Sequence, residues 1–294
     1  MNKKSQVEAQ FNWLYVLIIG GAIFAFLVFF GFRIKSAADV GYCNDLTFTL
    51  KDNIVNANYQ SNYFSTIKIK PNSEINYDGL SLFCKGSDGA SMDNYILFAQ
   101  DQVIYDGNIK DMTVFTLSYE KPFFISNINY MVDSNYKYVL PDTLYDSLIK
   151  DFLIDTFYEQ QSVIETIFYP ESTVNIPTSP NDVFVNIALS DIDPTLDKEL
   201  QLAKIISKDL IYDINHDKLV DRQIMITDIM LDKCNKIYDE YYIDILCYDD
   251  YEQLCVDIST LKNELESGND ISTISNSIST KNQNLALDTC VYLY

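Results

Sequence analysis

The segment Phe11–Phe32 (FNWLYVLIIGGAIFAFLVFFGF) constrains this chain more than any other: over 22 residues its only ionisable group is the Tyr15 phenol. As a helix at 1.5 Å per residue it covers about 33 Å, enough to cross a hydrocarbon layer roughly 30 Å thick. A cleaved secretory signal has a shorter apolar region, about 7–15 residues, followed by a small-residue cleavage site. This run is longer and bulkier and ends on FFGFRIK, which offers no such site. Its length and composition predict a transmembrane helix over 11–32, with a buried core helix as the alternative. Trp13 and Tyr15 fall where an interfacial aromatic belt lies. Gly21 and Ala25 form a small-xxx-small pair that would let two spans approach closely, although ordinary span composition produces such pairs too.

Lys3 and Lys4 precede the run and Arg33 and Lys35 follow it, so the flanking basic residues tie at two on each side. The α-amino group tips that balance toward a cytoplasmic N-terminus. Cysteine placement points the same way. All six (Cys43, Cys84, Cys234, Cys247, Cys255 and Cys290) follow the run, and an even set suits an oxidising exterior. Residues 1–10 are therefore expected to be cytoplasmic, and residues 36–294 extracytoplasmic.

The 294-residue chain is long enough for one large domain or two ordinary ones, and its formal charge is −21. Four of the 21 basic residues and one of the 42 acidic residues lie in the first 35, leaving 17 basic against 41 acidic beyond them. A surface that negative repels phosphate backbones and anionic headgroups, which argues against nucleic acid as a partner. Hydrophobic content of 48% with 14% aromatics argues against disorder. The 22 tyrosines read as core and half-buried sheet positions. No N-x-Ser/Thr acceptor occurs despite the many asparagines.

KKSQVEAQ followed by the apolar run resembles the class III signal of archaeal type IV pilins: a basic residue, a small residue, Gln, then a hydrophobic stretch a few positions on. The resemblance implies cleavage between Ser5 and Gln6, with the apolar helix kept on the mature protein. Ser5 stands where that family has Gly or Ala, and Gln10 where it has Glu, with Glu8 two positions upstream. The FNWLYVLIIGGAI core is also similar to the start of a group of uncharacterised single-span membrane proteins of small-genome archaea. Fainter similarity runs through STIKIKPNSEINYDGLSLFC, KPFFISNINYM and DKCNKIYDEYY. Together the matches cover under a third of the chain, and they imply location and architecture rather than chemistry.

Beyond the run, residues 33–62 form a membrane-proximal segment in which Leu46, Leu50 and Ile54 suggest a short helix leading off the membrane. STIKIK, GLSLFCKG, NYILFAQ, TVFTLSYE and FFISNINYM then read as five short strands of an antiparallel sheet, separated by turn material. After Pro141, DTLYDSLIKDFLIDTF reads as a helix that Asp142 can cap. VFVNIALS reads as a buried strand, and KIISKDLIYDI as a short helix followed by another strand. Residues 63–214 are thus β-rich to mixed, with the strand order open.

From about Lys218 the pattern turns helical. Leu219, Ile226, Met230, Cys234, Ile237 and Tyr241 form one stripe, and Tyr251, Leu254, Cys255, Ile258, Leu261 and Leu265 a second. Gly268 can end the second helix and Asp270 can cap a third, marked by Ile271, Ile274, Ile278 and Leu285. Residues 215–294 are expected to be a three-helix bundle with short connections. Helical hairpins turning near 245 and 268 would bring Cys234 to Cys255 and Cys247 to Cys290, leaving Cys43 with Cys84. Six cysteines allow 15 pairings, so the hairpin geometry carries this choice. Zinc is the rival reading, but no CxxC occurs and His216 is the only histidine.

His216 sits among carboxylates in DINHDKLVD and reads as a solvated loop residue. A Ser–His–Asp hydrolase would need it, yet no G-x-S-x-G elbow supplies the serine, and a Cys–His pair requires a free thiol. GxGxxG, GxxxxGK[ST] and HExxH are missing from the sequence. Carboxylates are too common for any pair to be singled out as a glycosidase site. Asp213, Asn215 and Asp217 alternate as in the first half of an EF-hand loop, but Lys218 and Ile224 stand where Gly and the bidentate Glu belong. An adventitious acidic loop explains them better than calcium.

The reading is an α+β protein: a single N-terminal transmembrane helix, a β-rich to mixed exterior domain and a C-terminal three-helix bundle. No catalytic, cofactor-binding or metal residue is assigned, and no cofactor is expected. The expected role is structural or adhesive at the cell surface, with the membrane and other membrane or cell-surface proteins as partners. A pilin-like filament subunit or minor pilin is one alternative, and a membrane-tethered hydrolase a second.

Overall fold

The computed structural model describes residues 3–70, 73–85, 89–100, 102–105, 110–180, 182–207, 209–240, 245–287 and 293. The chain is α+β. It starts with one continuous helix, α1 (Lys3–Asn58), whose 56 residues extend about 84 Å at 1.5 Å each. The short helix expected around Leu46–Ile54 is therefore the far end of α1. No proline interrupts α1, and its four glycines (Gly20, Gly21, Gly31 and Gly41) do not break it.

Strands follow in the order β1 (Phe64–Ile69), β2 (Ser73–Tyr77), β3 (Ser81–Cys84), β4 (Ala90–Ser91), β5 (Ile96–Ala99), β6 (Gln102–Tyr105), β7 (Lys110–Glu120), β8 (Phe124–Asp133) and β9 (Tyr136–Leu140). The expected single antiparallel sheet is instead two. A central sheet has the order β1-β7-β8-β5, with β5 parallel to β8 and the other pairs antiparallel. A smaller antiparallel sheet has the order β4-β3-β2-β6. Strand propensity marks the segments, but pairing is decided by contacts distant in sequence, so sheet membership was not readable locally.

After Pro141 a helix, α2, begins at Asp142–Leu144 and runs on with π-type turns over Tyr145–Ile154. Asp142 does not cap it; its carboxylate accepts the Ser172 N–H at 3.0 Å. Helix α3 (Gln161–Ile164) precedes β10 (Phe168–Pro170) and β11 (Val183–Asn186). The last two flank β9, both parallel to it, in a third sheet. The VFVN segment, expected to be buried, is a largely exposed edge strand.

Helix α4 (Lys198–Ile206) leads to α5 (Asp209–Glu240), α6 (Ile245–Ser267) and α7 (Ser272–Leu287). The strand expected at DLIYDI is the first turn and a half of α5, so the 214/215 boundary falls inside a helix. Helix α5 packs on α6, and α6 on α7. Gly268 ends α6 with a φ of +69°, where a residue without Cβ is favoured. Asp270 accepts the Ser272 N–H at 2.8 Å, capping α7 as expected.

The central sheet is covered on both faces, so β8 reads as one buried run rather than an alternation. One face carries Phe98, Phe115, Leu117 and Tyr130 against α2, α4 and α5, in a core continuous with α6 and α7. The other carries Leu97, Met112, Val114 and Met131 against Leu46, Leu50 and Ile54 of α1 and the inner side of the small sheet.

Candidate functional site

The described surface least like that of a water-soluble domain is the first half of α1. Trp13, Phe24, Leu27, Phe29 and Phe32 stand exposed on all sides of the helix, Phe24 and Phe32 at 70%. The residues at Gly20, Gly21 and Gly31 would meet nothing within 4 Å even with an added Cβ. Such a helix, apolar all round and unpacked, is long and apolar enough to cross a membrane. From Cys43 onward one stripe of the same helix is fully covered: Leu50 is 1% and Ile54 0% exposed.

Two disulfides hold the domain as the sequence predicted. Cys43–Cys84 ties α1 to β3, with Cα atoms 5.2 Å apart. Cys234–Cys255 ties α5 to α6 at 5.7 Å. Cys247 is buried and disulfide-bonded, and its expected partner Cys290 lies outside the described residues.

Asp213, Asn215, Asp217 and His216, weighed above for chemistry, lie on α5. Asp213, Asn215 and Asp217 are helical, so successive members point about 200° apart and cannot converge on one ion as an EF-hand loop requires. Asn215 faces inward instead and is fully buried. Its Oδ1 accepts the Leu97 N–H at 3.2 Å, its Nδ2 donates to the Ile211 carbonyl at 3.0 Å, and it pairs with the Tyr77 hydroxyl. Three further residues continue this seam. Lys218 Nζ donates to the Gly79 carbonyl at 2.9 Å, Arg222 to Ser126 Oγ at 2.6 Å and the Asn94 carbonyl at 2.9 Å, and Gln223 to the Lys121 carbonyl at 3.0 Å. The segment read as an acidic loop is thus the rivet between α5 and the sheets. The signal for it was the i, i+4, i+8 set Ile211, Asn215, Leu219, in which a polar Asn hid the apolar period.

His216 is helical and half-buried rather than a solvated loop residue. Its ring stacks on Tyr212 with centroids 5.5 Å apart. Burial pulls its pKa below the ordinary imidazole value, against the opposing pull of Asp217 and Asp213. Tyr212, under the Lys204 ammonium at 4.6 Å, is itself pushed up to about 12 by burial and by Asp213. Every described cysteine is disulfide-bonded, so among the described residues a Cys–His pair lacks its thiol.

A second polar cluster, missed in the sequence, joins α6 to α7. Asp257 accepts from Gln253 Nε2 at 3.0 Å, Ser277 Oγ at 2.7 Å and the Lys281 ammonium. Burial raises its carboxyl, but the hydrogen bonds from Lys281, Gln253 and Ser277 outweigh that and hold it below the ordinary carboxylate range. Helix α6 is also joined to α5 by Lys262 and Asp228 at 2.7 Å. Both clusters are satisfied internally and look inward, as fastenings do. No protein-family model, curated protein or solved structure matches the chain.

Proposed function

We propose that this chain is a membrane-anchored extracytoplasmic protein with a structural or interaction role at the cell surface. Residues 11–32 cross the bilayer, residues 1–10 are cytoplasmic, and residues 36–294 lie outside, ending in a disulfide-stapled three-helix bundle of α5, α6 and α7. The observation that carries this reading is the change along α1 from exposed apolar side chains at 13–34 to a packed stripe at 43–57. The two disulfides support the orientation, because such bonds persist in oxidising compartments. Protease treatment of sealed cells tests it: the exterior should be degraded, leaving a short protected fragment around the span. Recovery of the chain in the soluble fraction with reduced thiols would overturn it.

A pilin-like subunit is the second reading, and the continuity of α1 favours it. A single rigid helix with an apolar, unpacked first half is the element that could leave the bilayer and line a filament core. Mass spectrometry of the mature N-terminus separates the two readings. A chain beginning at Gln6 supports pilin-type processing, and an intact Met1 end sinks it.

A further inference from the structure

Where α1 emerges from its apolar half, a cleft of about 820 Å³ opens between the helix and the first strands. Phe32, Lys35, Asp39 and Tyr42 form its helical wall. Lys70, at the end of β1, and Lys85, just after β3, stand on the opposite wall with Ser73. This wall is built, not incidental. The Cys43–Cys84 bridge closes the corner beside Lys85, the Lys70 N–H donates to the Tyr42 hydroxyl at 2.8 Å, and the Lys70 ammonium sits 4.3 Å from the Tyr42 ring centre. Three lysines thus line one space. Among the described residues Asp39 is the carboxylate in the lining, and Glu74 reaches Lys85 from outside it at 3.2 Å.

The level of the cleft matters as much as its charge. Phe32 is the last residue of the apolar run, so the cleft begins where hydrocarbon would end. Lys35 stands about 5 Å further along the axis, and Cys43 about 16 Å. The headgroup layer on each side of a bilayer is roughly 5–8 Å deep. Lys35 therefore falls within that layer, and the cleft runs outward from it to Lys70 and Lys85, which stand level with Tyr42 and Cys43 about 10–12 Å further along the axis. The rest of the exterior is strongly acidic and would be repelled by an anionic surface.

We propose that this cleft seats the phosphate-bearing headgroup of an anionic lipid drawn from the bilayer that α1 crosses, an inference that rests on the membrane reading above. Lysine ammonium groups suit a phosphate as mobile point charges, and the Tyr42 hydroxyl and Ser73 add polar lining. The headgroup would fix the height and tilt of the domain over the membrane by bridging α1 to the strands.

The test uses the full-length chain, with its disulfides intact, added to phosphatidylcholine vesicles with and without phosphatidylglycerol. Flotation reports insertion, and mass spectrometry of protein extracted in mild detergent reports retained lipid. The expected result is insertion into both kinds of vesicle, with phosphatidylglycerol retained at least tenfold over phosphatidylcholine. Replacing Lys35, Lys70 and Lys85 together by Gln should abolish that preference, and replacing all three by Arg should keep it. Insertion without any preference, or a preference that survives the Gln variant, overturns the cleft while leaving the anchor standing. Failure to float with either vesicle overturns the anchor and the cleft with it. Competition by free glycerol phosphate as effective as by the lipid would overturn the lipid assignment in favour of a soluble anion.

Discussion

Helix α1 has one backbone and two surroundings. From Tyr15 to Ile34 its large side chains are open on every side, whereas from Cys43 to Ala57 Leu46, Leu50, Ile54 and Ala57 are sealed against sheets on one side only. Both halves are α-helical, so what differs is what their side chains meet. The second half has an apolar stripe stepping by four, which matches a protein surface. The first half is apolar around its whole circumference, which matches a medium that is apolar in every direction. Domain stability should therefore depend on the second half and be indifferent to the first.

The sharpest way to break that contrast is at the covalent link. Replacing Cys43 and Cys84 by Ser opens a 41-residue separation and should cost about 4 kcal/mol, from the loop-closure entropy restored to the unfolded chain. Opening Cys234–Cys255, separated by 21 residues, should cost about 3 kcal/mol by the same reasoning. Denaturant midpoints of the domain should fall for both. Hydrogen exchange in residues 43–58 should accelerate only for the first.

Packing gives the next largest effect. Leu50→Ala removes a side chain that is 1% exposed and should destabilise the domain by about 3 kcal/mol. Leu27→Ala, at a position 62% exposed, should leave the unfolding midpoint unchanged within about 0.5 kcal/mol. Equal effects from the two substitutions would mean that the first half of α1 packs on the domain after all.

Much of this contrast was legible in the sequence, because both halves are local patterns. The apolar run and the spacing of Leu46, Leu50 and Ile54 predicted the two surfaces, and two of the three proposed cysteine pairs stand in the structure. Other features were hidden for identifiable reasons. Nothing between 33 and 45 signals a helix by apolar period, so the continuity of α1 was missed. Strand β2 (SEINY) has inward Ser73, Ile75 and Tyr77, but its alternation is diluted by a buried serine. Asn215 and Asp257 were invisible as fastenings because their value lies in partners distant in sequence, Tyr77 and Leu97 for one and Lys281 for the other.

Acid provides a third comparison, between α1 and the far end of the molecule. The folded pKa of Asp257 is depressed, so its contribution is present above the ordinary carboxylate pKa and is lost as pH falls through the lowered value. Asp257→Asn should cost about 2 kcal/mol near pH 6, the scale of a hydrogen bond to a charged group. The gap between the two proteins should close as pH is lowered below about 4. Exchange at residues 43–58 should not register the substitution, since Asp257 lies between α6 and α7.

The smallest effect tests where the packed half of α1 ends. Asn127 Nδ2 donates to the Asn58 carbonyl at 2.9 Å, and its Oδ1 accepts from Ser118 at 3.1 Å. The last carbonyls of a helix have no partner within it, so this side chain satisfies one that the chain itself cannot. Asn127→Ala should cost about 1 kcal/mol and leave the Asn58 carbonyl to solvent. Asn127→Asp, nearly the same shape, would set a carboxylate against that carbonyl and should cost more than the alanine. Exchange should quicken in the last turn of α1, residues 54–58, and nowhere before Cys43. Faster exchange spreading through 13–34 would show that the two halves unfold as one unit, and the division between a half that meets the domain and a half that meets another solvent would have to be abandoned.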